Sequence, residues 1–290
     1  MKFIYFPLVA LFLLAVSCKK DKTPDPAPTA PAPRLIFKFK FDSTQVRLDN
    51  LGQVSSVPSN HGAQCPVFHG MSSHYIELTP NATTALGGGD VVYHAPETTA
   101  GGPNAIDFDS SYVAGDGQEF FSLPLSSVTP GSYSYLRVSL AYQNYDVKLR
   151  ANSIDFVGRL ASFIGFNTYI RTFTPATIPV TVNANKAQGY WAFEAFSQVT
   201  QGQAPAGATT VPNPIFATSP IPQGSCLVTG QFSSPLVITG HETSDIIIDV
   251  SLSTNHSFEW VEHSTPGIYE PLNGDTVVDM GIRGLIPIVH

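Results

Sequence analysis

The chain has 290 residues, 43% of them hydrophobic and only 13% charged, and 22 acidic against 15 basic side chains give a formal charge of −7. An acidic chain without a run of Lys and Arg has no electrostatic footprint for nucleic acid, so that partner class is excluded. The apolar and aromatic content excludes a disordered chain and is enough for a sizeable core.

The first element in chain order is an export signal. Lys2 precedes Phe3 to Val16, an almost unbroken apolar run of fourteen residues. A permanent bilayer span needs about 20, so the run fits the core of a signal peptide. The following Ala15-Val16-Ser17-Cys18 resembles a relaxed bacterial lipobox, and Lys19-Lys20-Asp21-Lys22 is similar to the start of many Bacteroidota-type lipoproteins. The resemblance implies that residues 1–17 are removed and that Cys18 becomes a lipid-modified N-terminus. The membrane is then the partner through that anchor, with the protein in the cell envelope, facing the periplasm or the cell surface. A plain secreted protein with an incidental Cys18 is the alternative. Residues 18–33 form the linker, and its TPDPAPTAPAP segment holds five prolines and no large apolar side chain. Such a stretch runs as a stiff, polyproline-like spacer.

Residues 34–290 read as β nearly throughout. In RLIFKFKFD, Leu35, Phe37, Phe39 and Phe41 alternate with Ile36, Lys38 and Lys40, the period of a half-buried strand. The stretch SYSYLRVSLAYQ puts Leu136, Val138, Leu140 and Tyr142 on one face, with Arg137 and Ser139 on the other. In DIIIDVSLS, Ile246, Ile248, Val250 and Leu252 point inward, away from Asp249 and Ser251. Shorter strands are expected at 74–78, 180–183, 189–196, 226–232, 235–239 and 276–280, with Trp191, Phe193 and Ala195 as core. Residues 158–171, GRLASFIGFNTYIR, are the one plausible helix, and an ambiguous one. Glycine and proline turns separate these runs, and two Pro/Gly/Ala/Thr-rich stretches, 96–105 and 201–224, read as long loops. The pattern predicts one all-β domain over 34–290, an antiparallel, Greek-key-like β-sandwich with long loops.

Chemistry concentrates in HGAQCPVFHGMSSH, residues 61–74. Imidazole, thioether and thiolate suit copper. On a flat strand, however, His69 and Met71 share a face with Ser73, Tyr75 and Glu77, while His74 points the other way with Ile76 and Leu78. A metal site therefore draws on His61, His69 and Met71, with His94 from VVYHAPE as a completing imidazole. The competing reading has His74 in the core, His61 and His69 in a loop, and Cys65 in a disulfide. With Cys18 lipidated, Cys65 and Cys226 remain to pair in an oxidising compartment. Such a bridge would close a loop of about 160 residues, worth roughly 5 kcal/mol in the chain-entropy model.

Weaker signals are the acidic stretch with Glu262, Glu270, Asp275 and Asp279, which could form a calcium loop, and Asp107 with Asp109 on one strand face. Tyr190 and Trp191 would stack on a sugar if exposed. No nucleophile elbow, zincin helix or phosphate loop is present, so an enzyme would need a site assembled from distant residues.

Three stretches together resemble the MbnP-like family of periplasmic copper-binding β-sandwich domains, partners of methanobactin. They are TPGSYSYLRVSLAY (129–142), QGYWAFEAF (188–196) and FSSPLVITGHETSDIIIDVSLSTNHSF (232–258), in the family's order. The resemblance implies a sandwich fold and copper as cofactor. That family places tryptophans of its copper site just before the "GY" strand. Here Val182 to Ala187 holds neither Trp nor His, so no ligand residue carries over. The expected function is a lipid-anchored envelope protein whose sandwich domain binds a ligand, with copper the first candidate. A metal-free surface lipoprotein binding carbohydrate or a protein is the second reading, and a hydrolase the third.

Overall fold

The computed structural model describes residues 31–49, 51–204, 226–282 and 284–290. The signal peptide, Cys18, most of the linker and most of the 201–224 loop lie outside the described residues. The described chain is all-β, its strands joined by turns and single 3-10 turns.

One layer is a four-stranded sheet in the order β18 (Leu285–Val289), β15 (Ile246–Ser253), β1 (Arg34–Asp42) and β7 (Glu119–Pro124). Its apolar positions alternate, as the sequence predicts. Leu35, Phe37 and Phe39 on β1 and Ile248, Val250 and Leu252 on β15 have no exposed surface. At roughly 1.5–3 kcal/mol per fully buried side chain, these six alone favour this layer strongly. The pairing of β1 with β15 is parallel, Leu35 opposite Ile246, an exception to the expected antiparallel order.

The facing layer is a curled sheet of seven strands. It runs β13 (Gln198–Gln203), β12 (Tyr190–Ala195), β9 (Ile154–Phe163), β8 (Gly131–Ala151), β3 (Val67–Thr79) and β4 (Asp90–His94). β14 (Cys226–Ile238) pairs with the first half of β8. Leu136, Val138 and Leu140 from β8 join the apolar faces of β1 and β15 in one core, the interior of a sandwich.

Two smaller sheets cover what remains. β11 (Val180–Ala187), β10 (Asn167–Phe173), β6 (Ala105–Asp107) and β5 (Glu97–Thr98) form one of them. With Ile170 and Phe173 of β10, a second core forms around Phe163 and Tyr190 on β9 and β12. β17 (Thr276–Met280), β16 (Phe258–Val261) and β2 (His61–Gln64) form the other.

Burial on both faces explains where the sequence patterns mislead. Residues 158–171 are not a helix but the end of β9 and most of β10. On β9, Leu160, Ala161, Ser162 and Phe163 are all buried, so no period of two shows. On β12 the order of burial is the reverse of that expected. Tyr190, Ala192 and Glu194 are buried, and Trp191 and Phe193 are half-buried on the curled face. Arg137 and Ser139, on the other face of β8, are buried too, and Arg137 lies 3.5 Å from Glu77 and donates to the Ala82 carbonyl.

Candidate metal site

The expected ligands do not come together. The His61 imidazole on β2 is hydrogen-bonded to Glu259 of β16, whose other oxygen holds Arg47. The His69 Nε2 lies 2.8 Å from Asp146, a carboxylate shared with Arg159. Met71 is wholly buried in the main core. Of the four, His94 alone belongs to a group of three such ligand side chains among the described residues.

The disulfide is corrected as well, since Cys65 and Cys226 are both free thiols. Cys65 is exposed, and its sulfur accepts the His256 amide at 3.3 Å. Cys226 is buried in β14 opposite Leu140, where burial and then the charge of Asp279 push its thiol up to about 12. One sulfur lies on the surface and the other in the core.

The acidic candidates hold their own loops. Asp275 accepts the amides of His263 and Glu270, and Glu270 accepts that of Thr265. Glu262 accepts the Gly267 amide and the Trp260 indole, and Asp279 accepts the Gly281 amide. Asp107 bonds Ser110 while Asp109 pairs with Arg171.

Among the described residues, one group of three His, Cys, Asp or Glu side chains brings its ligand atoms within 4.8 Å of one another: His74, His94 and Glu97. Each comes from a different strand, β3, β4 and β5. The pairing of β3 with β8 steps from Ser73 opposite Leu140 to Tyr75 opposite Ser139, so His74 is an extra residue at a bulge. A bulge breaks the alternation and re-aims its side chain. The ring of His74 thereby meets that of His94 edge-on, centroids 4.8 Å apart. Glu97 follows His94 by three residues, across Ala95 and Pro96, which turn the chain from β4 into β5.

The donor atoms stand at coordination spacing, and an ion bound at His74 Nε2 would displace the hydrogen that this nitrogen donates to Glu97. Glu97 Oε1 lies 2.8 Å from His74 Nε2 and 3.8 Å from His94 Nε2. Its other oxygen accepts the Asn104 amide at 2.7 Å, which orients the carboxylate. The His94 Nδ1 hydrogen is donated to the Ala95 carbonyl at 2.9 Å, which assigns Nε2 as the free lone pair. Bonds of about 2.0–2.1 Å in tetrahedral geometry put ligand atoms about 3.3 Å apart, so shifts below an ångström would seat an ion here.

The electrostatics agree with that geometry. His74 is 1% exposed and packs near Phe166, and burial outweighs its bond to Glu97 and lowers its pKa. Its Nδ1 is buried without a hydrogen-bond partner. Burial alone would raise Glu97, but hydrogen bonds from Asn104 and His74 outweigh it and hold the carboxyl below its usual range. The surroundings thus favour the neutral form of the His74 imidazole and the charged form of the Glu97 carboxylate. The His94 side chain is about half exposed, which leaves one side of the site open to water or a further ligand.

The donor set is nitrogen and oxygen, without sulfur. It fits a borderline divalent ion, copper(II) or zinc(II), better than copper(I), which prefers thiolate and thioether. Comparison with family models, curated proteins and solved structures finds no match.

Proposed function

We propose that this is a metal-binding accessory protein of the cell envelope, holding a divalent transition-metal ion at His74, His94 and Glu97. The observation that carries the reading is the convergence of three ligand atoms from three strands, one of them on a buried, neutral imidazole. Copper(II) is the ion assigned, since nitrogen and oxygen sites bind it most tightly among the first-row divalent ions. The lipobox-like Ala15–Cys18 and the proline-rich linker support a tethered location. The resemblance over 129–258 bears on the fold alone, since the tryptophans of that family's copper site are missing here. Neither tryptophan is free to serve as an exposed sugar platform: Trp260 is fully buried and Trp191 half-buried, which gives the carbohydrate reading no support.

Metal retention after desalting tests the proposal. The purified protein, without a polyhistidine tag, is incubated with copper(II) and the bound ion is measured. One equivalent is expected, abolished in His74→Ala and in His94→Ala and kept in the His61→Ala/His69→Ala double variant. Retention by His94→Ala, or loss in the double variant, would remove the site from β3–β5.

A further inference from the structure

The curled face of the seven-stranded sheet is hollow. Between it and the β2–β16–β17 sheet lies a cavity of about 530 Å³, walled mainly by Leu149, Phe156, Trp191, Phe193, Phe258 and Tyr269. A second hollow of about 290 Å³ shares Leu149, Phe156 and Tyr269 with it and extends it toward the β8–β9 turn. The space is open to solvent on one side and its walls are mainly apolar. The sequence shows how it is kept open. Phe193 lies down over Gly158 and Trp191 over Gly202, positions where a Cβ would collide with those rings. The rings lie along the sheet instead of reaching across to the facing one.

The mouth is apolar as well. Phe196 is 74% exposed, Leu272 68% and Ile154 62%. Leu272 lines the cavity itself, and the Phe196 ring is 4.9 Å from that of Phe156 inside. Phe196 and Ser197 form the two-residue turn between β12 and β13 with φ of +52° and +58°. Such turns favour Asn and Gly, and a bulky residue at positive φ is an outlier. A phenylalanine held both in a strained conformation and in water points to a role for that tip.

Among its described lining residues the larger cavity has one carboxylate, Asp275, which accepts hydrogen bonds from His263, Ser264 and Glu270. The smaller hollow is bordered by the charged side chains Lys148 and Asp155. The Tyr269 phenol is pushed up to about 12 by burial, and so is neutral.

We propose that this cavity binds the hydrocarbon chain of a single-chain amphiphile, a fatty acid, with the polar head left at the mouth. A mainly apolar cavity with a second hollow adjoining it suits an extended chain, the volume of the larger one falls within the about 300–1,000 Å³ of ligand sites, and the exposed tips suit contact with the lipid surface where such chains reside. The site shares no residue with His74, His94 and Glu97, so it stands whether or not the metal reading does.

The test uses a dansyl-labelled fatty acid with the full chain. Saturable one-to-one binding with a blue shift is expected, displaced by palmitate and not by indole. Thr200→Trp, at an exposed position of β13 that lines the cavity, is expected to weaken it about tenfold or more. Absence of saturable binding, displacement by indole alone, or unchanged binding by a folded Thr200→Trp would overturn the proposal. Phe196→Asn suits the turn, so it is expected to raise the melting temperature, keep affinity for the free probe and slow transfer from phosphatidylcholine vesicles carrying the probe. Unchanged transfer would overturn the role of the rim.

Discussion

Glu194 is a carboxylate whose contribution to stability can be read from its surroundings. It sits on β12, 7% exposed, on the face opposite Trp191 and Phe193. Burial would raise its pKa, but the Thr177 hydroxyl and the amides of Thr177, Ile178 and Ala176 all donate to it and bring it down to about 2 from 4.5. Because the folded value is depressed, the stabilisation is complete above the unfolded value and is lost as pH falls from 4.5 toward 2. The difference corresponds to about 3 kcal/mol at pH 7 and to less than half of that at pH 3. Glu194→Gln keeps the shape and one acceptor but loses the charge. It is expected to destabilise the fold by about 2–3 kcal/mol at pH 7, a fall of roughly 4–12 °C in melting temperature for a domain of this size. Urea titrations of both proteins at pH 7 and pH 3 measure it, and the gap should shrink to less than half at pH 3. A gap that is the same at both pH values would refute the assignment to charge.

Two further outcomes follow from the described contacts. Iodoacetamide should modify Cys65 and spare Cys226 in the native protein, and modify both after unfolding without reductant; two unreactive thiols in the unfolded chain would mean that a disulfide exists. Met71→Ala should cost about 2–5 kcal/mol as a cavity in the core while leaving metal stoichiometry unchanged. Loss of the ion in a folded Met71→Ala would return the thioether to the ligand set.

The strands that the sequence reveals are those whose polar and apolar residues alternate. On β1 Phe39 fills the core and Lys40 is half exposed, while on β15 Val250 fills the core and Asp249, though buried as well, is paired with Lys40. β9 and β12 are sandwiched between two cores, so their polar and apolar residues no longer report direction, and residues 158–171 imitate a helix. The site was half visible. His94 stands out as an imidazole at a strand end, and Glu97 lies three residues on, inside a stretch that reads only as loop. His74 is buried, as the reading of a core histidine expects, but for a definite reason its turn toward His94 was not legible. Strict alternation sends it to the face of Ile76 and Leu78, and the bulge that turns it toward His94 leaves no mark in hydrophobic periodicity. Cysteine counting failed differently, since even parity says nothing of the distance between a surface thiol at 65 and a core thiol at 226.

The central claim is a metal held by two imidazoles and a carboxylate. X-ray absorption fine structure of the copper(II)-loaded protein tests it most directly. A first shell of nitrogen and oxygen at about 2.0 Å is expected, with the outer-shell signature of two imidazoles, falling to one or to no bound copper in His94→Ala. A sulfur shell near 2.3 Å, or an unchanged spectrum in His94→Ala, would contradict it and direct attention back to Met71 and Cys65.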